Sequence, residues 1–295
     1  MKVLIVGSSG QLGNALIKSS PTNYHLLTPP RNLFDLNLSD NCYEYIIKKK
    51  PDWVINAGAY TNVDKAEKEK NIAYQINAKA PESIAKAILK IGGKLLHIST
   101  DYVFSGIQNF PYLPNQKTSP INAYGITKAK GEDYLTEILK ENNQLAILRT
   151  SWLMGKNGKN FAKTMLKLHN ERDIIKVVYD QVGSPTTTSS LSKAIWRLIS
   201  INDSYSEQNK IFPTYNHFSD GGIASKYDIA VEVGKIGLQK GLINKVAYVK
   251  PILSSEYPTA AKRPYYSVLE SSETIKLLNL QTKYWRDCLF EEFIL

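Results

Sequence analysis

The chain of 295 residues contains 43% hydrophobic and 22% charged residues with 17 Gly and 13 Pro, which is typical of a globular protein rather than a disordered or fibrous one. Its net charge of +10 comes from scattered lysines without the basic stripe and interleaved aromatics of a nucleic-acid site, so we expect no nucleic-acid partner. The opening "MKVLIVGSSG" is too briefly apolar for a signal peptide or a membrane span. We therefore predict a cytoplasmic protein with no membrane partner.

The first 150 residues alternate short apolar runs with amphipathic stretches. Strands are predicted over residues 2–6, 25–28, 53–56, 94–99 and 145–149. Between them, apolar residues at 84, 87, 88 and 91 predict a helix over 83–91 that Gly92 ends. This alternation predicts an α/β fold with a Rossmann-like, doubly wound parallel sheet.

Beyond residue 150 the alternation weakens, and loops such as "SDGGIASKYDIA" lead into short helices. We predict a dinucleotide-binding domain over residues 1–150. Residues 151–295 are predicted to form mainly a smaller C-terminal substrate-binding lobe, with some helices and strands returning to the Rossmann core. The sequence shows no internal repeat and no Gly/Ser linker, so the two parts are expected to pack as one unit.

A glycine loop, "VGSSGQLG", directly follows the first predicted strand and precedes a helix. In this pattern Gly7 permits the tight turn, Gly10 lets the backbone approach a pyrophosphate, and Gly13 lets the helix pack closely on the strand. The N–H groups that begin the helix face the anion. The loop therefore predicts a dinucleotide site.

The end of the second strand indicates which dinucleotide binds. A carboxylate that would hold the ribose hydroxyls is missing there, and Arg31 stands in its place. Since a guanidinium accommodates a 2′-phosphate, we predict NADPH, with NADH as the alternative. Asp35 is predicted to hydrogen-bond the adenine; its other interpretation is a helix N-cap.

The stretch "AYGITKAKGE" places Tyr124 and Lys128 one helical turn apart, so both side chains project from one face. A nearby ammonium stabilises a phenolate, and we expect Lys128 to lower the pKa of Tyr124. Thr100 ends the fourth strand, at the edge where open α/β sheets bind ligands. The three side chains predict carbonyl reduction, in which Thr100 polarises the carbonyl and Tyr124 supplies the proton.

These motifs lead to a resemblance. The chain resembles the extended short-chain dehydrogenase/reductases, and within them the dTDP-4-dehydrorhamnose reductase family, nearly end to end. The shared segments are "GSSGQLG", "VINAGAYTNVDKAE", "HISTDYVFSG", "PINAYGITKAKGE", "LRTSWLMGKNGKNFAKTM", "DQVGSPT" and "YPTAAKRPYYSVLE". The last three are the more specific, because Tyr-x-x-x-Lys and GxxGxxG occur throughout the superfamily.

The resemblance implies NADPH-dependent reduction of the 4-keto group of dTDP-4-dehydro-L-rhamnose to dTDP-L-rhamnose. It implies four sets of contact residues, which extend the residues chosen above. The pyrophosphate would contact Gly10, Gln11 and Leu12; the adenine, Asp35 and Leu36; the ribose side, Ala59, Tyr60 and Thr61; and the sugar nucleotide, Val63, Asp101, Trp152 and Arg263. Core packing for Trp152 and a surface salt bridge for Arg263 are the alternatives.

Metal chemistry is not expected. Cys42 and Cys288 lack a CxxC spacing, and the four histidines lack i, i+4 pairing and an HExxH motif. In some relatives acids like Glu291 and Glu292 join a partner subunit in holding a divalent cation. We interpret both glutamates instead as the solvated face of a terminal helix.

Two alternatives to the reductase remain open from the sequence. A sugar-nucleotide epimerase or dehydratase would keep NAD and usually place another acid or base beside the threonine, but the residue after Asp101 is Tyr102 rather than glutamate. A non-catalytic regulatory subunit of the methionine adenosyltransferase type would keep the fold without turnover. The intact Thr100, Tyr124 and Lys128 set favours the reductase. A homodimer is compatible with the sequence.

Overall fold

A computed structural model describes residues 1–139, 143–208 and 210–293. Its strands are β1 (Lys2–Val6), β2 (His25–Leu27), β3 (Trp53–Asn56), β4 (Lys94–Thr100), β5 (Leu145–Thr150), β6 (Leu153–Met154), β7 (Ile174–Val178), β8 (Val182–Gly183), β9 (Thr186–Thr187), β10 (Tyr215–His217), β11 (Ala224–Ser225) and β12 (Tyr248–Ile252). Its helices are α1 (Gln11–Lys18), α2 (Ser39–Lys49), α3 (Val63–Ala66), α4 (Lys70–Tyr74), α5 (Ala80–Ile91), α6 (Ala123–Leu139), α7 (Phe161–Glu171), α8 (Thr188–Glu207), α9 (Lys226–Gln239), α10 (Ser272–Leu277) and α11 (Trp285–Glu292).

The central sheet has six strands, all parallel, in the order β2-β1-β3-β4-β5-β10. Successive side chains of β1 reach opposite cores, as the two-residue period of a strand requires. Val3 and Ile5 pack in the core that includes residues of α1 and α8, whereas Leu4 and Val6 pack in the core that includes residues of α2, α5 and α6. The predicted Rossmann-like, doubly wound α/β fold is therefore confirmed.

The order of the strands locates the ligand crevice. The chain runs outward from β1 to β2 on one side and from β3 to β10 on the other, so the direction of winding reverses between β1 and β3. In sheets of this kind ligands bind outside the carboxyl ends of the strands at this reversal. Gly7 and Ala57 are the residues that follow β1 and β3 there.

The predicted strands are confirmed, with small shifts at their ends. β2 ends at Leu27, one residue early, while β4 and β5 run one residue further, to Thr100 and Thr150. The helix predicted over 83–91 begins at Ala80 and ends, as expected, at Gly92, whose φ is 73°.

A π-helical segment, Gln75–Lys79, joins α4 to α5 without a break. Pro81 lacks an N–H group and its ring would collide with the carbonyl of Asn77, four residues earlier, in a regular helix. The wider π turn avoids that collision, which identifies Pro81 as its cause. The Asn77 amide is thereby placed beside the catalytic helix predicted from the sequence, α6.

The residues after 150 both return to the sheet and form a core of their own. β10 adds the sixth strand, and α8 packs Leu191, Ile195 and Leu198 against the β1 face. A separate core joins α7, α9 and α11 with β7, β11 and β12. Across the described ranges no helix combines the length and the apolar character needed to cross a membrane.

The two C-terminal glutamates differ, and the interpretation of Glu292 as part of a solvated face is wrong. Glu292 is 6% exposed and accepts hydrogen bonds from the Thr188 hydroxyl at 2.8 Å and the Ser189 hydroxyl at 2.5 Å. A carboxylate at the N-terminus of α8 is favoured by the helix dipole. Glu291 is exposed and pairs with Lys283 at 2.5 Å.

We predict that Glu292→Ala lowers the free energy of unfolding by about 2–3 kcal/mol, because the variant leaves the buried Thr188 hydroxyl without its charged acceptor. The matched control is Glu291→Ala, which removes an exposed ion pair and is expected to cost less than about 1 kcal/mol. Urea denaturation followed by circular dichroism measures both. Equal losses for the two variants would contradict the assigned role of Glu292.

Candidate functional site

The glycine loop forms an open cradle at the start of α1. Gly7 has a φ of 77°, and a Cβ there would lie 2.8 Å from the Gly58 backbone; a Cβ on Gly13 would lie 2.2 Å from the Gly7 carbonyl oxygen. Gly10 precedes the helix and no side chain caps its first N–H groups. The Asn14 amide donates to the carbonyl oxygens of Ser9 and Gly10 at 3.0 and 2.9 Å, which fixes the loop. This geometry fits a pyrophosphate.

Gln11 and Leu12 contribute to the cradle in different ways. The Gln11 side chain reaches across to the second half of the chain, where its amide donates to the Leu153 carbonyl at 3.5 Å and accepts from Asn160 at 3.3 Å. Leu12 is 4% exposed and packs in the core. Leu12 therefore offers a ligand its backbone N–H alone.

Arg31 and Asp35 form an ion pair beyond β2, in which Arg31 is exposed and Asp35 is half-buried. The Nε atom of Arg31 is 3.6 Å from the Asp35 carboxylate, and the Arg31 side chain is 75% exposed. Asp35 also accepts from the Asn37 N–H at 3.0 Å, so it caps a local turn and not α2, whose N-cap is Leu38. Leu36 reaches the Gly58 shelf, where its Cδ1 would lie 2.7 Å from a Cβ on that glycine.

The segment after β3 is held by the π turn. Asn77 accepts from the Tyr60 N–H at 2.8 Å and donates to the Tyr60 carbonyl at 3.1 Å and to Thr127 of α6 at 3.1 Å. Tyr60 donates its hydroxyl to Glu69, and that bond raises the pKa of Tyr60 to about 12. Ala59 is half-buried and Thr61 is exposed. Asn77 thus connects the predicted ribose shelf to the predicted catalytic helix.

The close approach of α6 to the chain that follows β4 requires a glycine at position 125, directly after Tyr124. A Cβ at this position would lie 2.1 Å from the Tyr102 carbonyl oxygen, so the first turn of α6 lies directly on the backbone that follows β4. Asn122 caps the helix by accepting from the Gly125 N–H at 2.8 Å, and Glu67 accepts from the Ala123 N–H at 2.8 Å. These contacts bring Tyr124 to the carboxyl end of β4.

Thr100 and Asp101 stand at that end, both buried. The Thr100 hydroxyl donates to Asp101 Oδ1 at 2.9 Å and accepts from the Tyr102 N–H at 3.2 Å. Burial raises the pKa of Asp101 to about 6, opposed by the nearby hydroxyls of Ser267 and Thr100 and by the Lys226 ammonium. Asp101 Oδ2 has no hydrogen-bond partner among the described residues.

The lowered phenol pKa expected from the sequence is not found, and that expectation is wrong for this arrangement. Burial raises the pKa of Tyr124 to about 12; the Thr100 hydroxyl lies near enough to lower it in part, and the Asp101 charge raises it further. Lys128 does not contribute. A raised pKa keeps the phenol protonated at neutral pH, as a proton donor requires.

Lys128 is instead held by strand β4. Its Nζ donates to the Ile98 carbonyl at 2.7 Å and lies 3.0 Å from His97 Nε2. Burial lowers the pKa of Lys128 to about 8, opposed by the Glu132 charge, while burial and Lys128 lower the pKa of His97. His97 Nδ1 lies 3.1 Å from the Asn56 amide. A neutral imidazole therefore links the Lys128 amine to Asn56 at the end of β3.

Trp152 and Lys226 come from the second half of the chain and lie near Asp101. Trp152 follows β5 with a φ of 46°, and the Lys226 Nζ lies 3.4 Å from the centroid of its indole. Burial lowers the pKa of Lys226 to about 7, opposed by Asp101 and assisted by Arg263. The indole is thus a partly covered surface, rather than plain core.

Val63 and Arg263 lie on either side of a bridge between the two halves of the chain. Arg263 Nη2 donates to Asp64, the residue after Val63, at 2.7 Å, and Asp64 also accepts from the Ala261 N–H at 3.1 Å. The Arg263 side chain is 22% exposed and Tyr102 is among its neighbours. Arg263 thus forms the salt bridge that was the alternative to a diphosphate contact. This salt bridge is only partly exposed and lies near Tyr102.

The structure therefore gathers most of the predicted residues around one crevice, with Arg31 and Asp35 at its outer edge. Sequence reasoning missed the functional context of His97, Asn77 and Lys226. His97 was considered only as a metal ligand, and Lys226 lay in a segment interpreted as a loop. Within the described ranges no cluster of three or more His, Cys, Asp or Glu side chains is arranged to hold a metal ion.

The glycine cradle, the polar residues after β3 and β4, and the Tyr-x-x-x-Lys helix define a Rossmann-like reductase. The chain belongs to the RmlD substrate binding domain family, whose model matches residues 1–293.

Known proteins of high similarity include dTDP-4-dehydrorhamnose reductases. The enzyme of Aggregatibacter actinomycetemcomitans is 34% identical over 98% of this chain and 97% of its own length. A crystal structure from Clostridium acetobutylicum has 36% identity and a TM-score of 0.88, covering 99% of this chain and 98% of that chain. One from Bacillus anthracis, solved in complex with NADP, has 35% identity and a TM-score of 0.88 over the same shares.

We predict that Gly125→Ala lowers both the stability and the activity. An exposed helical Gly→Ala change usually stabilises by up to about 1 kcal/mol. Here the added methyl group collides with the Tyr102 carbonyl, and we expect a loss of about 1–3 kcal/mol. The control is Ile126→Ala at the next position, where the side chain is 53% exposed. Denaturation and turnover assays measure both variants, and a stabilised, fully active Gly125→Ala would contradict the close approach.

Proposed function

We propose that this protein reduces the 4-keto group of dTDP-4-dehydro-L-rhamnose to a hydroxyl, forming dTDP-L-rhamnose, with NADPH as the reductant. The observation that carries the proposal is that the Thr100 hydroxyl lies beside Tyr124 at the end of β4, while Lys128 of the same helix is held by the Ile98 carbonyl of that strand. The dTDP-4-dehydrorhamnose reductases that are about one-third identical to the whole chain support the same reaction. The methionine adenosyltransferase subunit is not favoured.

The cradle fits the dinucleotide. Gly7, Gly10, Gln11 and Leu12 would surround the pyrophosphate, since the first N–H groups of α1 have no side-chain cap. Leu36 and Asp35 would contact the adenine, and Ala59, Tyr60 and Thr61 the ribose side. When bound, NADPH supplies the hydride that adds to the C4 carbon of the sugar.

The proton comes from Tyr124. Its phenol, protonated at neutral pH, transfers a proton to the carbonyl oxygen as that oxygen gains negative charge, while the Thr100 hydroxyl hydrogen-bonds the same oxygen. Lys128, whose ammonium is held at the end of β4 by the Ile98 carbonyl, would hydrogen-bond the nicotinamide ribose. Because burial lowers its pKa to about 8, Lys128 can release and regain a proton near neutral pH.

The substrate would lie against the second half of the chain. Val63, Asp101 and Trp152 would line the sugar, and Arg263, with guanidinium donors besides the one given to Asp64, would bind the diphosphate. This arrangement supports a dinucleotide-binding domain over 1–150 and a substrate lobe mainly over 151–295. A cytoplasmic location and a homodimer remain predictions.

We predict that Tyr124→Phe lowers kcat by about 10²–10⁴-fold, the usual effect of removing a general acid, and leaves the affinity for NADPH nearly unchanged. The control is Tyr134→Phe on the same helix, which loses a hydrogen bond to Tyr74 and nothing in the crevice. The loss of NADPH absorbance with dTDP-4-dehydro-L-rhamnose measures turnover. Near-normal activity of Tyr124→Phe would show that another group is the acid.

The cofactor preference depends on Arg31. We expect Arg31→Ala to raise the KM for NADPH about tenfold, because a charge-assisted contact to the 2′-phosphate is lost, and to leave the KM for NADH unchanged. The control is Lys48→Ala, a substitution of an exposed lysine in the last turn of α2. Equal changes for the two cofactors would place the 2′-phosphate elsewhere.

A further inference from the structure

Lys226 is a half-buried cation whose ammonium contacts two aromatic rings but, among the described residues, no hydrogen-bond acceptor. Its Nζ lies 3.4 Å from the Trp152 ring centroid and 5.0 Å from that of Phe161. Among the described residues it forms neither a hydrogen bond nor a salt bridge. Its ammonium therefore has donors that the protein does not use.

The position of Lys226 in its helix does not explain it. Lys226 is the first residue of α9, where the helix dipole disfavours a positive charge. The N-terminal N–H groups are satisfied by a capping box, in which Ser225 accepts from Asp228 at 3.0 Å and Asp228 accepts from Ser225 at 2.8 Å. Withdrawing an ammonium even partly from water without giving it an acceptor costs free energy, and a ligand that supplies an acceptor would offset that cost.

Trp152 gives Lys226 a rigid support. The indole belongs to a residue with a φ of 46°, a backbone conformation that non-glycine residues rarely adopt and that often occurs at functional sites. A Cβ on Gly183 would lie 2.7 Å from the indole, so the backbone of β8 packs directly on the ring. The ammonium is thereby presented at a defined place in the crevice.

Asp101 provides the complementary group. It is 2% exposed, its Oδ2 has no hydrogen-bond partner among the described residues, and its charge acts on Lys226. An acceptor and a donor left open in the same crevice fit a hydroxyl, which donates to the carboxylate and accepts from the ammonium. A phosphate fits poorly, because Asp101 would repel it.

We propose that Lys226 is a specificity-determining residue that binds a hydroxyl of the pyranose together with Asp101, on the Trp152 surface. The inference rests on the proposed function, because the ligand is the sugar of the nucleotide sugar. It assigns the sugar to Lys226 and Asp101 and the diphosphate to Arg263.

The test compares the binding of dTDP-L-rhamnose, dTDP and NADPH by isothermal titration calorimetry in wild type, Lys226→Met and Lys226→Arg. We expect Lys226→Met to lower the affinity for dTDP-L-rhamnose about tenfold or more, the usual effect of losing a charge-assisted hydrogen bond. Binding of dTDP and NADPH changes less than twofold, and Lys226→Arg recovers part of the loss. The control is Lys240→Met, which removes a similar contact, 3.8 Å from the Phe290 ring, at the other end of α9.

Each outcome is decisive. Equal weakening of dTDP and dTDP-L-rhamnose would assign Lys226 to the diphosphate and overturn the inference, and so would unchanged binding of both. A parallel fall in melting temperature for Lys226→Met and Lys240→Met, with no change in sugar affinity, would leave Lys226 a purely structural role. If wild type failed to oxidise NADPH in the presence of dTDP-4-dehydro-L-rhamnose, the proposed function itself would fail, whatever the binding data show.

Discussion

The site depends on the contact between the first turn of α6 and the backbone that follows β4. Because Gly125 has no side chain, the helix lies against the Tyr102 carbonyl, and Tyr124 is held near Thr100. A buried ion pair secures the same helix further along, where Glu132 accepts from Arg149 of β5 at 2.6 Å, with both side chains 2% exposed. The proton donor is therefore positioned by backbone packing, and its acidity is set by that position.

The crevice is enclosed by polar contacts that join the two halves of the chain. Gln11 reaches Leu153, Asp64 holds Arg263, and Asn122 donates to the Lys262 carbonyl at 2.8 Å. The first contact lies beside the proposed pyrophosphate site, the second beside the proposed diphosphate site, and the third at the start of the proposed catalytic helix. Between them lie the buried Asp101 and Lys128 and the half-buried Lys226, whose pKa values are shifted because removal from water disfavours their charged forms. Such clusters are typical of functional sites.

Local patterns in the sequence predicted five of the six strands of the central sheet and the motif residues. Strands such as β1 are continuous apolar runs, and the glycine loop and the Tyr-x-x-x-Lys spacing are short-range signals. The direction of the Tyr124 pKa shift could not be predicted, because it depends on burial and on Asp101 rather than on the spacing to Lys128. The burial of Glu292 and the place of Lys226 depend on long-range packing, with partners about 100 and 70 residues away along the chain, which no local pattern reports. The π turn was not predicted, because the apolar pattern begins at residue 83, after Pro81, and gives no signal for the preceding turn.

A crystal structure of the protein with NADP and dTDP-L-rhamnose tests the central claim most directly. The account predicts that the Tyr124 and Thr100 hydroxyls both lie within hydrogen-bonding distance of the sugar O4, with C4 of the sugar facing C4 of the nicotinamide. A sugar bound away from Tyr124, or a phenol turned out of the crevice while both ligands are in place, would contradict it.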